Sequence, residues 1–250
     1  MIDSYTHCAI DKYEPVESVV EAMESSGITK AVLVQHLGQF DNTYIETVVK
    51  DNPETFTGVG LVDTTDANWY KGTEALRTSG SFMGIRFSSM SILGNCDAVM
   101  EAGRMGLNLI LYTPNGVDEV GQEIANLARK VPDTSIVLTH LGCPGPKVDL
   151  NRSNNSIFSL GEYPNIFVGL SGQHMFGEYP YHDLLDYTKR IVETYTSKRI
   201  MWGSNFPVCG SVEAYRSDLS YVSSENLELS DGEVQDITEN TAREVFFPGS

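Results

Sequence analysis

Short runs of aliphatic, β-branched and aromatic residues alternate along this chain with longer stretches in which apolar residues return at helical spacing. Eight of the short runs read as strands: IDSYTHC (2–8), KAVLVQH (30–36), FTGVGLV (56–62), MGIRFS (83–88), NLILYTP (108–114), SIVLTHLG (135–142), NIFVGLSG (165–172) and RIMWGSNFP (199–207). Their centres are almost continuously apolar rather than alternating, as parallel strands require when neither face meets water. The stretches between them read as helices. PVESVVEAMESSG opens with a proline suited to a first turn and closes on Gly27, suited to a C-cap. DEVGQEIANLARKV carries its acids early and its bases late, matching the helix dipole. YHDLLDYTKRIVETYTSKR is the longest, with His182 at its start, and SDGEVQDITENTAREVF begins with a capping box formed by Ser230 and Glu233. Residues 143–160 are polar and loop-like and predict only a short or irregular helix.

Eight strand–helix units in succession predict an α/β fold, a (β/α)8 TIM barrel filling residues 1–250 as one domain. A doubly wound open sheet is the rival. It fits less well, because eight units exceed its usual strand number and no GxGxxG turn follows the first strand.

Charge narrows the partners. The chain carries 34 acids against 17 bases, a formal net charge of −17. Such a surface repels nucleic acid and anionic membranes, so neither is expected as a partner. It also makes any arginine at a pocket a candidate for holding a small anionic substrate. No apolar run approaches the ~20 residues that span a bilayer, and no basic segment precedes the first strand, so a cytoplasmic protein is expected. The four cysteines are scattered without a CxxC pair and are expected as free thiols.

In a (β/α)8 barrel, reactive groups sit at the C-terminal ends of the strands. Those ends carry Tyr5 and His7, Gln35 and His36, Arg86 and Ser88, Tyr112 and Thr113, His140, Ser171 with Gln173 and His174, and Asn205. Each has an ordinary structural reading: a hydrogen-bonded core histidine, an Arg86–Asp63 ion pair, a tyrosine packed at the rim, an asparagine holding a turn. Their concentration on one face favours a site. Cys8, Cys143 and Cys209 follow three of these residues closely, but free cysteines are usually small buried apolar groups.

Taken together, the segments resemble the amidohydrolase superfamily, in the amidohydrolase-related branch that holds metal-dependent decarboxylases and metal-independent lactonases of the 2-pyrone-4,6-dicarboxylate type. IDSYTHC resembles the opening I-D-x-H-x-H strand, and VLVQHLGQFDNTYI the second-strand segment. MGIRFS resembles the G-x-R strand, VLTHLGCP the D-H-x-G-x-P strand and VGLSG the K-x-S segment. MWGSNFP resembles the G-S-D-x-P strand, and ENTAREVF the closing helix. The departures fall on the metal site. Tyr5 replaces the first histidine of the HxH pair, Asn205 the eighth-strand aspartate, Thr139 the aspartate before His140, and Gly169 the seventh-strand lysine. In metal-dependent members, the HxH pair and that aspartate hold the ion, and the aspartate takes a proton from the attacking water.

The resemblance, with these losses, implies a degenerate metal site and an enzyme that uses neither metal nor cofactor. A small carboxylated lactone or related cyclic acid is the implied substrate, hydrolysed with a histidine acid/base. The implied catalytic residues are His7, His140, Asn205 and Tyr5, because imidazole titrates near neutrality while an amide can only orient a carbonyl or oxyanion. Arg86, Tyr112, Ser171, His174, Gln35 and His36 are the implied substrate-binding residues, with Arg86 on a carboxylate. Two alternatives stand beside this: an isomerase or decarboxylase that needs no activated water, and an inactive barrel that binds a small molecule. Association into a homo-oligomer is also consistent with the resemblance.

Overall fold

The computed structural model describes residues 1–144 and 155–249. Within the polar stretch at 143–160, a helix forms at Asn155–Leu160, and residues 145–154 lie outside the described residues. Eight parallel strands follow one another around a barrel: β1 (Ile2–Thr6), β2 (Lys30–Val34), β3 (Phe56–Gly60), β4 (Phe82–Ser88), β5 (Asn108–Tyr112), β6 (Ile136–Leu138), β7 (Ile166–Ser171) and β8 (Ile200–Gly203). The chain is a (β/α)8 barrel and a single domain. Backbone bonds from Asn205 N–H to the Tyr5 carbonyl and from His7 N–H to the Phe206 carbonyl, each 2.8 Å, draw β1 against the exit of β8.

Alternate strand residues divide between two cores, which explains the unbroken apolar runs. Ile2, Val32, Val59, Ile110, Val137, Phe167 and Met201 fill the barrel with Val245 and Phe246 of the closing helix Thr241–Phe246. Leu33, Ile85, Leu111, Leu138, Leu170 and Trp202 face the surrounding helices. Among the described residues, no helix is long and apolar enough to cross a membrane.

Seven of the eight strands end earlier than the apolar runs predict, β4 alone ending at Ser88 as expected, and three of the early ends shape the barrel mouth. β6 stops at Leu138 and β8 at Gly203, and just past them His140, Leu141 and Asn205 adopt left-handed backbone with φ of 54°, 55° and 54°. A residue in that region leaves the ladder, so the sheet ends where the reactive side chains begin. β1 stops at Thr6, one residue before His7. Pro15 is an N-cap rather than a first-turn residue, whereas the Ser230–Glu233 capping box forms as expected. His182 lies in a short 3₁₀ turn before the helix Leu185–Tyr195.

Candidate active site

The geometry of the barrel mouth begins with Asp3, a residue the sequence did not single out. Its carboxylate is wholly buried and accepts from the backbone N–H groups of Tyr5 (3.1 Å) and Ser204 (2.9 Å) and from the Ser204 hydroxyl (2.6 Å). Burial raises its pKa to about 6, against the pull of those donors. These bonds, with the backbone pairs above, tie the YTH segment to the SN segment. Gly203 permits the approach: a Cβ there would stand 2.6 Å from the Tyr5 Cβ.

A cavity of about 190 Å³ opens at this junction. His7, Arg86, Tyr112, His140 and Asn205 line it together with Lys12 and Tyr13. Lys12 and Tyr13 come from the first strand–helix loop, where a base and an aromatic shortly after His7 were the only signal. Tyr13 stacks on the His7 ring, centroids 5.0 Å apart. A larger hollow of about 700 Å³ lies against the helices Thr43–Asp51 and Trp69–Ser79. It contains none of the expected site residues. The smaller cavity is the one that gathers the expected polar residues.

Arg86 is the dominant charge. It is 6 % exposed, its Nη1 donates to the Gln35 carbonyl at 3.1 Å, and its Nε–H has no partner among the described residues. The guanidinium lies over the rings of Tyr112 and Tyr5, at 5.2 and 5.7 Å from their centroids. It forms no ion pair with a described carboxylate. Asp63, a candidate partner from the sequence, accepts from Thr65 instead.

Two imidazoles flank this charge. His7 Nδ1–H donates to the Val34 carbonyl at 2.6 Å, which leaves a lone pair on Nε2. His140 Nδ1 lies 3.0 Å from the Ser171 hydroxyl, whose oxygen accepts from the His140 backbone N–H at 3.2 Å. The hydroxyl proton is then free to donate to Nδ1, and the Ser171 backbone carbonyl also faces the ring as an acceptor. Burial first, and then Arg86, pushes His7 down to about 3 and His140 well below its ordinary range. Both rings are neutral near pH 7. Gly172 makes room beneath His140, where a Cβ would come within 2.7 Å of Nδ1. Tyr5 stands edge-on to both rings, at 5.1 Å from His7 and 4.8 Å from His140. Its hydroxyl is buried without a partner among the described residues, and burial raises it to about 12, so it is a proton donor.

The other expected residues lie behind the cavity surface. Ser171 is wholly buried and serves His140. Gln35 turns back on its own loop, donating to the Asp41 carbonyl and accepting from the His36 N–H. His36 and Gln35 border a separate hollow of about 100 Å³. His174 stands behind Asn205, its Nε2 3.5 Å from Asn205 Nδ2. Cys8, Cys143 and Cys209 are held near 12 by burial and remain thiols.

The donor set does not suit a catalytic divalent ion, which needs about three good protein ligands. His7 offers one lone pair, and His140 Nδ1 is engaged by Ser171. Tyr5 stays protonated, and the Asn205 amide carries no charge. The formal charges lining the cavity are the positive Arg86 and Lys12. Among the described residues, no group of three His, Cys, Asp or Glu side chains converges on a point.

Solved structures share this architecture at low identity. A protein assigned as a 2-pyrone-4,6-dicarboxylic acid hydrolase from Pseudomonas putida is 22 % identical over 98 % of this chain and 96 % of its own, with a TM-score of 0.75. An amidohydrolase from Burkholderia multivorans with bound zinc is 16 % identical over 98 % of both chains, with a TM-score of 0.77. A 2,6-dihydroxybenzoate decarboxylase from Rhizobium is 13 % identical over 98 % of both chains, with a TM-score of 0.70. At these identities the likeness concerns the fold. No curated protein is significantly similar to the chain. The amidohydrolase family profile matches residues 4–247, nearly the whole chain, and the chain belongs to that family.

Proposed function

We propose that the protein is an enzyme that hydrolyses a small carboxylated lactone or related cyclic acid without a metal ion. One observation carries this reading: Arg86 is a buried guanidinium with no carboxylate counter-ion among the described residues, facing a cavity beside two neutral imidazoles. A buried charge of this kind is costly until an anion pairs with it. A planar carboxylate suits the guanidinium fork.

His7 and His140 then divide the proton work. His7 Nε2 accepts a proton from water as the oxygen attacks the lactone carbonyl. His140 Nε2–H and the Tyr5 hydroxyl donate to the developing oxyanion. The ring C–O bond breaks, and the leaving oxygen takes the proton back from His7. Burial is the larger cause of the low His7 pKa and Arg86 the second; a substrate carboxylate on Arg86 offsets the second, so binding makes His7 a better base. Tyr112 contacts the substrate beside Arg86.

A second reading rests on a separate observation: among the described residues, no carboxylate lines the cavity. Decarboxylation or isomerisation of an enolisable acid needs no activated water. His7 would move the proton, and the same donors would hold an enolate.

Turnover of 2-pyrone-4,6-dicarboxylate and of a panel of enolisable keto acids, measured in the presence of a chelator, tests both. Activity that survives chelation and falls ~100-fold or more in His7→Gln is expected, the usual range for a lost acid/base. Activity that requires added zinc or manganese, or an unimpaired variant, overturns the metal-free histidine mechanism. Tight binding of these acids with no turnover of any makes the protein a binding barrel instead.

A further inference from the structure

Behind Asn205 lies a chain of polar groups that the mechanism above does not use. Asp218, on the helix Val212–Val222, is wholly buried. One of its carboxylate oxygens accepts from the Tyr181 hydroxyl. The other faces His174 Nδ1 at 3.5 Å, and neither of these two buried atoms has a hydrogen-bond partner elsewhere among the described residues. His174 Nε2 faces Asn205 Nδ2 at 3.5 Å, and the Met175 sulfur stands 3.7 Å from the same nitrogen.

We infer that Asp218 and His174 are positioning residues that fix the orientation of the Asn205 amide in the active site. An ionised carboxylate only accepts hydrogen bonds, so Asp218 holds the His174 proton on Nδ1. Nε2 is left with a lone pair. Only the NH₂ end of Asn205 satisfies that lone pair, and the Met175 thioether, also an acceptor, favours the same end. Turning the amide over would set its oxygen against both. This matters because Asn205 sits where the resemblance places an aspartate. An aspartate has two equivalent oxygens and no wrong orientation, whereas an asparagine has one. Asn205 itself adopts left-handed backbone at φ 54°, so its side chain leaves the strand end at a strained residue and relies on neighbours for its direction. The inference deepens the proposed function and rests on it for what Asn205 meets in the cavity, but the hydrogen-bond polarity is a property of the free protein.

The test therefore needs no substrate. The ring nitrogens of the five histidines are read by ¹⁵N NMR of the intact protein at a pH where the rings are neutral, with signals assigned by single His→Gln variants. His174 is expected with its proton on Nδ1. Asp218→Asn places an amide NH₂ in the carboxylate's position and is expected to move the proton to Nε2. His7, which bonds to Val34, keeps its proton on Nδ1 throughout and serves as the internal reference. A wild-type His174 protonated on Nε2 overturns the inference, whatever the substrate proves to be and whether or not the variant folds. An Asp218→Asn protein that folds and keeps the wild-type tautomer overturns it as well. Where turnover has been found, Asp218→Asn lowers kcat about 10-fold or more with KM nearly unchanged, because the amide then meets the reacting centre the wrong way round. Equal losses in kcat and in thermal stability, with the His174 tautomer unmoved, would instead make Asp218 a structural tie.

Discussion

The two ends of the barrel are built from the same eight strands and differ in what they leave unpaired. At the N-terminal end, Ile2, Val32, Val245 and Phe246 pack together, and Asn108 Nδ2 donates to the Val245 carbonyl at 2.8 Å. Lys30 rests over the Phe247 ring at 5.0 Å. At the C-terminal end, Arg86 Nε and the Tyr5 hydroxyl are buried without partners among the described residues, and His140, Leu141 and Asn205 hold left-handed backbone. One end supplies stability and the other spends it. Unpaired polar groups and strained backbone persist only where the surrounding structure enforces them.

The largest expected effect tests the closed end. Phe246→Ala should destabilise the protein by about 3–5 kcal/mol by emptying the barrel floor. Chemical denaturation would show it, while anion binding at the mouth stays unchanged near the unfolding-free range. A matching loss of binding would mean that the two ends are not separable.

Gly203→Ala comes next. Its Cβ would meet the Tyr5 Cβ at 2.6 Å, so β1 must move away from β8. Overpacking of this kind costs about 1–3 kcal/mol. Here stability and site geometry should suffer together, in contrast to Phe246→Ala.

Acid separates the ends by a smaller increment. His7 and His140 are neutral when folded, with His7 at about 3, and charged below about 6.5 when unfolded. The unfolded chain therefore binds more protons, and stability falls as pH drops below 6.5. Asp3 acts in the opposite sense, because its folded pKa of about 6 lies above its unfolded value and acid relieves the cost of burying its charge. Two imidazoles against one carboxyl leave a net loss of about 1.4 kcal/mol per pH unit below pH 6. Melting curves at successive pH values should show that slope in the wild type and a flatter one in His7→Gln. Identical slopes would place the buried imidazoles elsewhere than at the mouth.

The smallest effect belongs to Ser171→Ala. It removes one hydrogen bond from each side of His140 and should cost about 1 kcal/mol. Its informative consequence is local: the His140 ring loses its Nδ1 partner, which ring-nitrogen NMR detects.

The barrel was legible because burial on both faces writes unbroken apolar runs, and eight such runs leave few topologies open. His7, Arg86, Tyr112, His140 and Asn205 were legible for a related reason. The topology brings all strand ends to one mouth, so a polar residue ending an apolar run is placed without knowing its side-chain contacts. Strand limits were not legible, since the left-handed turns at His140 and Asn205 use residues that local propensity does not mark. Lys12 and Tyr13 were hidden by sitting in a loop whose path depends on the fold. Asp3 resembles a surface acid in front of a strand, and Asp218 an ordinary helix acid. What makes them matter is contact with Ser204 and His174, far away in sequence. Gln35 went the other way: its position at a strand end was read correctly, but the loop claimed its side chain through Asp41.

The central claim is that the mouth of the barrel is an anion site built on an unpaired Arg86. Isothermal titration of chelator-treated protein with 2-pyrone-4,6-dicarboxylate, using wild type and Arg86→Met, tests it most directly. The account predicts saturable binding in the wild type that weakens about 100-fold or more in the variant, together with a variant of equal or higher melting temperature, because an uncompensated buried charge has been removed. Equal affinity in the two proteins, or a variant that loses both binding and stability, would contradict it.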